Sequence, residues 1–394
     1  VSIVITALVI PCLLNASFSS RMLDHPNSRK IHKGDVPRIG GMAISVSVLL
    51  SALVMWVIKM FVELPGLETY GTSLGCLGGA GAVMLLFGLV DDVVGLRYRA
   101  KFVGQTMAAL LLCASGLWVK DFCGIVGVNA LPQGAGWAVT VLAVLLVTNA
   151  VNFIDGIDGL ASGLCILALC YYTALFASAH MWLHAACGVV VVGALLPFLW
   201  YNMRGTAARH NKIFLGDTGS LMLGLLMCAM GVAVSNAHIG GGVGLNPMVV
   251  AFAPLILPCY DVVRVVCNRC MHGHNMFVAD KGHIHHKFLA LHMSQRHALL
   301  CVLTAENHQC ERGARDRGRD LGWNKHGDNK TNQETKQQRH MKLKNYLLAA
   351  AAALMLSACQ TPQIGYFQNM PDGQITQLQA PRIITAQQGD KLSI

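Results

Sequence analysis

The sequence predicts an all-α polytopic membrane protein with about nine to ten transmembrane helices and a cytoplasmic active-site face. Three observations predict it: the composition, a series of apolar runs of span length, and the alternation of basic and nearly neutral segments between them. Of 394 residues, 54% are hydrophobic and only 13% charged, and the mean hydropathy is +0.49. A soluble domain with a wet surface does not carry that balance.

Apolar runs long enough to cross the hydrocarbon core as helices fall at 1–18, 42–61, 72–90, 103–119, 136–151, 160–178, 181–200, 219–235 and 246–261, with a stub near 296–304. The segments 19–41, 91–102, 152–159, 201–218 and 261–296 collect nearly all Lys and Arg of the first 300 residues, from Arg21 to Arg296, whereas the opposite side keeps Lys59 and Lys120. Positive charge marks the cytoplasmic side. The net charge of +10 therefore reflects membrane orientation and not nucleic-acid binding. The fourteen cysteines are scattered, many within apolar runs, where a thiol behaves as a small hydrophobe. Cys267 and Cys270 have zinc-like spacing, but no second pair completes four ligands.

The character of the chain changes near Cys301. We divide it into a membrane-embedded domain at 1–304, a polar disordered linker or seam at 305–340, and a third segment at 341–394. The last opens with MKLKNYLLAAAAALMLSACQ, the layout of a bacterial lipoprotein signal peptide with Cys359 as the lipidated residue. Its tail resembles the start of polysaccharide export lipoproteins. A signal peptide in mid-chain has two readings: a real fusion with an extra anchor, or two neighbouring reading frames joined by a frameshift, which we favour.

Carboxylates within or at the ends of membrane helices are costly and point to function. Asp91 and Asp92 end the third run, Asn152, Asp155 and Asp158 sit in NAVNFIDGIDGL, Asp217 in KIFLGDTGS, and Asp261 in PLILPCYD. The charge-derived topology puts all of them on one side. Asn152, Asp155 and Asp158 recur every three residues and would share one face of a helical turn. Clustered oxygen ligands that also meet phosphate suit magnesium, with manganese as the alternative ion. For any single acid, helix capping beside glycine is the competing role.

His283, His285 and His286 stand beside Lys281 and Lys287 in the last basic segment, a composition suited to meeting a diphosphate. Near the first run, RKIHKGDVPRIGG is basic and glycine-rich. It reads as a phosphate clamp or as a loop that only orients the helix. Lys33 there, and Lys101 in RAKF, are the candidate substrate-contacting cations.

PRIGG, LVDD followed by RAKF and GQ, NAVNFIDGIDGLASG, KIFLGDTGS, PLILPCYDVVRVV and GHIHH occur in that order over residues 1–300. In this the chain resembles the polyprenyl-phosphate N-acetylhexosamine-1-phosphate transferases, relatives of the phospho-N-acetylmuramoyl-pentapeptide transferase. The resemblance implies a bacterial inner-membrane enzyme that moves a sugar 1-phosphate from a UDP-sugar to undecaprenyl phosphate and releases UMP, initiating cell-surface polysaccharide synthesis. It also implies roles. Asp217 would be the main magnesium ligand, and Asp91 and Asp92 would bind or activate the lipid phosphate near the metal, Asp92 also as a ligand. Asn152, Asp155 and Asp158 would hold the nucleotide-sugar, Phe214 and Asn202 would lie near the uracil, and the three histidines would contact the diphosphate. A homodimer is compatible with this reading. A secondary transporter is the alternative class, although such proteins place ionisable groups near the midplane and repeat their halves. An inactive fusion acting only through its export lipoprotein tail is the other.

Overall fold

The computed structural model describes residues 1–17, 23–24, 35–61, 71–239, 246–273, 283–291 and 294–320. Lys33 and the signal-like segment from 341 onward lie outside the described residues, as does the side chain of His285.

Twelve helices are described: α1 Ser2–Ser17, α2 Gly40–Phe61, α3 Gly71–Val94, α4 Tyr98–Ala114, α5 Gln133–Ile154, α6 Leu160–Ser178, α7 Trp182–Arg204, α8 Gly216–Asn236, α9 Pro247–Phe252, α10 Ile256–Met271, α11 Ile284–Ala290 and α12 Gln295–Asp320. A two-residue antiparallel pair, β1 Leu23–Asp24 with β2 Val36–Pro37, interrupts the expected all-α pattern. Six helical segments among the described residues are long and apolar enough to cross a membrane: Gly75–Val94, α5, α6, α7, α8 and the broken Pro247–Met271. The apolar stretches Ser2–Ala16 and Gly40–Met55 are shorter. The chain is a multi-pass membrane protein.

The hub is α8. Its apolar window is 89% buried within the protein, against 28% for the window in α3, and it packs on α2, α3, α5, α6 and α9. Small residues permit this. A Cβ on Gly41 of α2 would sit 2.1 Å from the Gly219 nitrogen of α8, so the two backbones touch and neither position admits a side chain.

Two boundaries differ from the sequence expectation. Asp261 does not close its span, because α10 continues ten residues beyond it to Met271. α12 runs past 304 through polar sequence to Asp320, since Ala305, Glu306, Gln309, Glu311 and Arg312 are good helix formers whatever their polarity. α12 lies against α6 and α11, and it carries Glu306 inward to full burial.

Candidate active site

The acids meet where α3 and α5 end and α8 begins. α8 has no capping side chain of its own at Leu215, so its first N–H groups need acceptors from elsewhere. Asp92, from the end of α3, supplies them. The Asp217 and Thr218 backbone N–H groups donate to its two oxygens at 2.8 and 2.9 Å, and the Thr218 hydroxyl donates at 2.6 Å. The chain enters this contact through Gly216 at φ +74°, where a Cβ would lie 2.7 Å from an Asp92 oxygen. Only glycine serves both the conformation and the space. Asp92 thereby fixes the helix turn that presents Asp217.

Asp91 is buried. One of its oxygens accepts the Leu96 N–H at 2.7 Å and the other contacts the Lys101 ammonium. Lys101 also reaches Asp217 at 3.1 Å. Burial alone would lower the Lys101 pKa, but the charges of Asp217 and Asp91 outweigh it and hold the amine protonated. The Asn152 amide donates to the same Asp217 oxygen at 2.6 Å and to the Ser220 hydroxyl at 2.8 Å. Asp217 is therefore oriented on one oxygen by a cation and an amide.

The expectation that Asn152, Asp155 and Asp158 share a helical face is corrected. α5 ends at Ile154, Asp155 has ψ 50°, and 155–159 is a turn closed by Gly159 at φ +79°. The glycines of IDGIDG stop the helix, so the two acids project from a loop and only Asn152 from the helix. Asp158 is held by Lys212 at 2.6 Å, and that ammonium lies 5.6 Å from the centre of the Phe214 ring. Asp155 accepts no hydrogen bond among the described residues, and its side chain reaches solvent. Close-packed neighbours, and then the charges of Asp217, Asp158 and Asp92, push its carboxyl up to about 7.

Asn202 clamps the frame. Its carbonyl accepts the Gly159 N–H at 2.7 Å and its amide donates to the Ile213 carbonyl at 2.9 Å, which ties the Asp155–Asp158 turn to the strand-like segment ahead of α8. That segment pairs with PRIGG: the Phe214 N–H donates to the Pro37 carbonyl, and the Gly40 and Gly41 N–H groups donate to the Phe214 and Leu215 carbonyls, all within 2.8–2.9 Å.

The histidine segment is anchored by Asp261. His283 Nδ1–H donates to one Asp261 oxygen at 2.9 Å, and the Ile284 N–H and the Arg264 guanidinium bond the other at 3.0 and 2.7 Å. The His283 ring lies 5.6 Å from the ring of Phe153 near the end of α5. His286 is on the same short helix α11.

Asp91, Asp92, Lys101, Asn152 and Asp217 thus form one hydrogen-bonded and ion-paired set, and Asp155 and, through it, the Lys212-paired Asp158 are coupled to it by charge alone. Thr218, Ser220 and Lys212 complete it, and sequence reasoning gave them no role. Their adjacency to Asp217 in KIFLGDTGS was the available signal, since a helix start that follows glycine gathers hydroxyls and charges around its first turn.

A connected acid cluster with a shared lysine and an anchored imidazole, at one end of a bundle of membrane-length helices, describes a multi-pass membrane enzyme. Residues 74–235 match the profile of glycosyl transferase family 4. The decaprenyl-phosphate N-acetylglucosaminephosphotransferases of Mycolicibacterium smegmatis (strain ATCC 700084 / mc(2)155) and Mycobacterium tuberculosis (strain CDC 1551 / Oshkosh) are 31% and 30% identical to it over 299 residues, 71% of either chain. The undecaprenyl-phosphate alpha-N-acetylglucosaminyl 1-phosphate transferase of Yersinia pestis is 28% identical over 289 residues, 72% of this chain and 74% of that one. The chain belongs to glycosyl transferase family 4 and is a transferase.

Proposed function

We propose that the chain transfers an N-acetylhexosamine 1-phosphate, with N-acetylglucosamine the favoured sugar, from its UDP derivative to undecaprenyl phosphate on the cytoplasmic side of a bacterial inner membrane. The product would initiate a cell-surface polysaccharide. The observation that carries this reading is the acid set around Asp217 with Lys101 built into it, in a chain whose relatives bear names of polyprenyl-phosphate sugar phosphotransferases.

An oxygen of the lipid phosphate attacks the sugar-bearing β-phosphorus, the bond from that phosphorus to the bridging oxygen breaks, and UMP leaves with that oxygen. A phosphate monoester with a second pKa near 6 is largely dianionic at neutral pH, so positioning outweighs base strength. Lys101 stays charged between Asp91 and Asp217 and attracts phosphate oxygens. His283, its Nδ1–H directed to Asp261, turns its other ring nitrogen to the diphosphate side. Lys212 and Phe214 form the edge suited to a nucleobase and its ribose, with Asn202 holding that edge in place, and Lys33 supplies a further cation to the phosphates.

Magnesium, or manganese in its place, fits the residues present. Donors there are oxygens, the cluster holds more acids than cations, and Asp155 lacks a hydrogen-bond donor among the described residues. Asp217 and Asp155 would hold it, with Asp92 steadying Asp217 and contributing an oxygen; when bound it neutralises phosphate charge and orients the diphosphate.

The test uses membranes containing the full chain or residues 1–304, supplied with labelled UDP-N-acetylglucosamine, undecaprenyl phosphate and magnesium. UMP release and a labelled lipid product are expected, with a fall of about 100-fold or more in Asp217→Ala. Unchanged turnover in that variant, with the protein correctly inserted, would remove Asp217 from the site. No lipid product from any UDP-N-acetyl sugar would overturn the reaction.

A further inference from the structure

The far end of α8 carries a second constellation. The connection between α4 and α5 folds back on itself: the Phe122 N–H donates to the Asn129 carbonyl, the Gly124 N–H to the Val128 carbonyl and the Leu131 N–H to the Lys120 carbonyl. Two asparagines fasten it to the bundle. Asn236, the last residue of α8, donates to the Trp118 carbonyl at 2.9 Å and accepts the Lys120 N–H at 3.3 Å. Asn246 donates to the Cys123 carbonyl at 2.6 Å and the Phe122 carbonyl at 3.3 Å. The result brings Asp121 and Cys123, from one loop, against His238, from the turn after α8.

One ligand atom of each of Asp121, Cys123 and His238 lies within 4.8 Å of the other two. Asp121 and Cys123 are half-buried and His238 is exposed. Three donors around one tetrahedral zinc, with bonds of about 2.0–2.3 Å, stand roughly 3.3–3.8 Å apart, so the group needs to close by at most about 1–1.5 Å. Cys123 and His238 both hold left-handed backbone, φ 52° and 51°, which is uncommon for side-chain-bearing residues.

The tautomer of His238 suits a ligand. Its Nδ1 sits 3.1 Å from the Asn236 carbonyl. A carbonyl only accepts, so Nδ1 carries the proton, and the neutral ring presents its lone pair at Nε2. Metal-binding histidines are held in this way, donating the other ring N–H to a backbone carbonyl or carboxylate. The donor set selects the metal: a thiolate and an imidazole with one carboxylate suit zinc, and they do not suit the hard cations that oxygen-only groups take.

We propose that Asp121, Cys123 and His238 form a zinc site with a fourth position left for water or a ligand, at the opposite end of α8 from Asp217. Twenty-one helical residues separate the two ends by about 30 Å, so this metal takes no part in phosphoryl transfer. It staples the α4–α5 loop to the end of the bundle hub, and the open position makes it a point of attachment for a further electron-pair donor on that face. Zinc binding displaces the Cys123 proton to solvent, and nothing is oxidised or reduced.

The experiment uses the purified full chain in detergent, stripped with chelator and then titrated with Zn2+ alone, or with Co2+ as a spectroscopic substitute. Because the acid and histidine cluster can also take divalent ions, the comparison is between wild type and the variants Cys123→Ser, His238→Gln and Asp121→Asn. We expect one tight zinc equivalent fewer in Cys123→Ser, a loss of affinity of about 100-fold in His238→Gln, and a near-ultraviolet sulfur-to-cobalt charge-transfer band in wild type that Cys123→Ser abolishes. His238 is exposed, so its variant keeps the result interpretable should Cys123→Ser fold poorly, and unchanged thermal unfolding of the metal-free proteins confirms equal folding. Equal zinc content in wild type, Cys123→Ser and His238→Gln, or no charge-transfer band in wild type, overturns the proposal. No sugar transfer is read, so the outcome is independent of the reaction proposed above.

Discussion

Two buried carboxylates, Asp92 and Glu306, stand in opposite circumstances. Asp92 is 6% exposed and receives three donors from the first turn of α8. Glu306 is 0% exposed, and neither of its oxygens has a hydrogen-bond partner among the described residues. Burial alone pushes the Glu306 carboxyl up to about 8. The difference teaches what burying an acid is for. With donors aimed at it, the group locks two helices together and aims a neighbouring side chain. Without donors it only raises the free energy of the folded chain.

The largest expected effect comes from removing the satisfied acid. Asp92→Ala leaves two backbone N–H groups and a hydroxyl without acceptors, and it should cost about 3 kcal/mol or more while lowering sugar-phosphate transfer at least 100-fold. Thermal unfolding in detergent and UMP release measure the two. A variant with full stability and turnover would show that α8 does not depend on this cap.

Asp155→Asn sharpens the comparison from another direction. No hydrogen bond to Asp155 is lost among the described residues, so stability should hold while turnover drops about 10- to 100-fold. An equal fall in unfolding temperature and in rate would mean that Asp155 acts as a structural group.

Glu306→Leu should stabilise the protein by about 1–3 kcal/mol and leave transfer unchanged. A destabilised variant would reveal a partner for the carboxylate. The same acid has a pH signature. Its carboxyl titrates near 8 when folded, against an ordinary 4.5, so the folded state holds the proton more tightly. Its contribution is most favourable below about 4.5 and is lost as pH rises toward 8. Unfolding curves collected across that window should show wild type weakening relative to Glu306→Gln as pH increases. Parallel curves would contradict the burial argument.

The smallest effect is Thr218→Val, which removes one of the three donors to Asp92 and should cost about 1 kcal/mol, read again by thermal unfolding.

Much of the site was legible because membrane sequences advertise their polar residues. Asp91, Asp92, Asp155, Asp158 and Asp217 stand at the polar edges of apolar runs, and charge alternation alone put them on one side. What was hidden depends on distance along the chain. Capping reads locally as a role for each acid beside its own glycine, whereas Asp92 caps the first turn of a helix through Asp217, 125 residues later. The Lys212–Asp158 pair and the Asn202 clamp likewise join segments that no periodicity connects. The Asp155–Asp158 turn is hidden because a three-residue spacing resembles a helical face, and the glycines that break it carry the better signal. At the other end, Asp121 and His238 come together through loops that Asn236 and Asn246 fasten to the bundle, a juxtaposition that no local pattern encodes. The break in character that the sequence marks at 304 falls two residues before Glu306, and helix propensity carries α12 across it undisturbed.

The cap on α8 also bears on how the protein is made. Asp92 leaves the ribosome long before Asp217 and Thr218, so a nascent chain threaded only through α5 carries a carboxylate whose eventual donors do not yet exist, whereas neighbouring Asp91 already has Leu96 and Lys101. Placing such groups at the bilayer edge is unfavourable, and the arrival of α8 is what relieves it. Catalytic competence is therefore a late event in biogenesis, gained as the hub helix slots in beside α3 and not inherited from any half of the molecule.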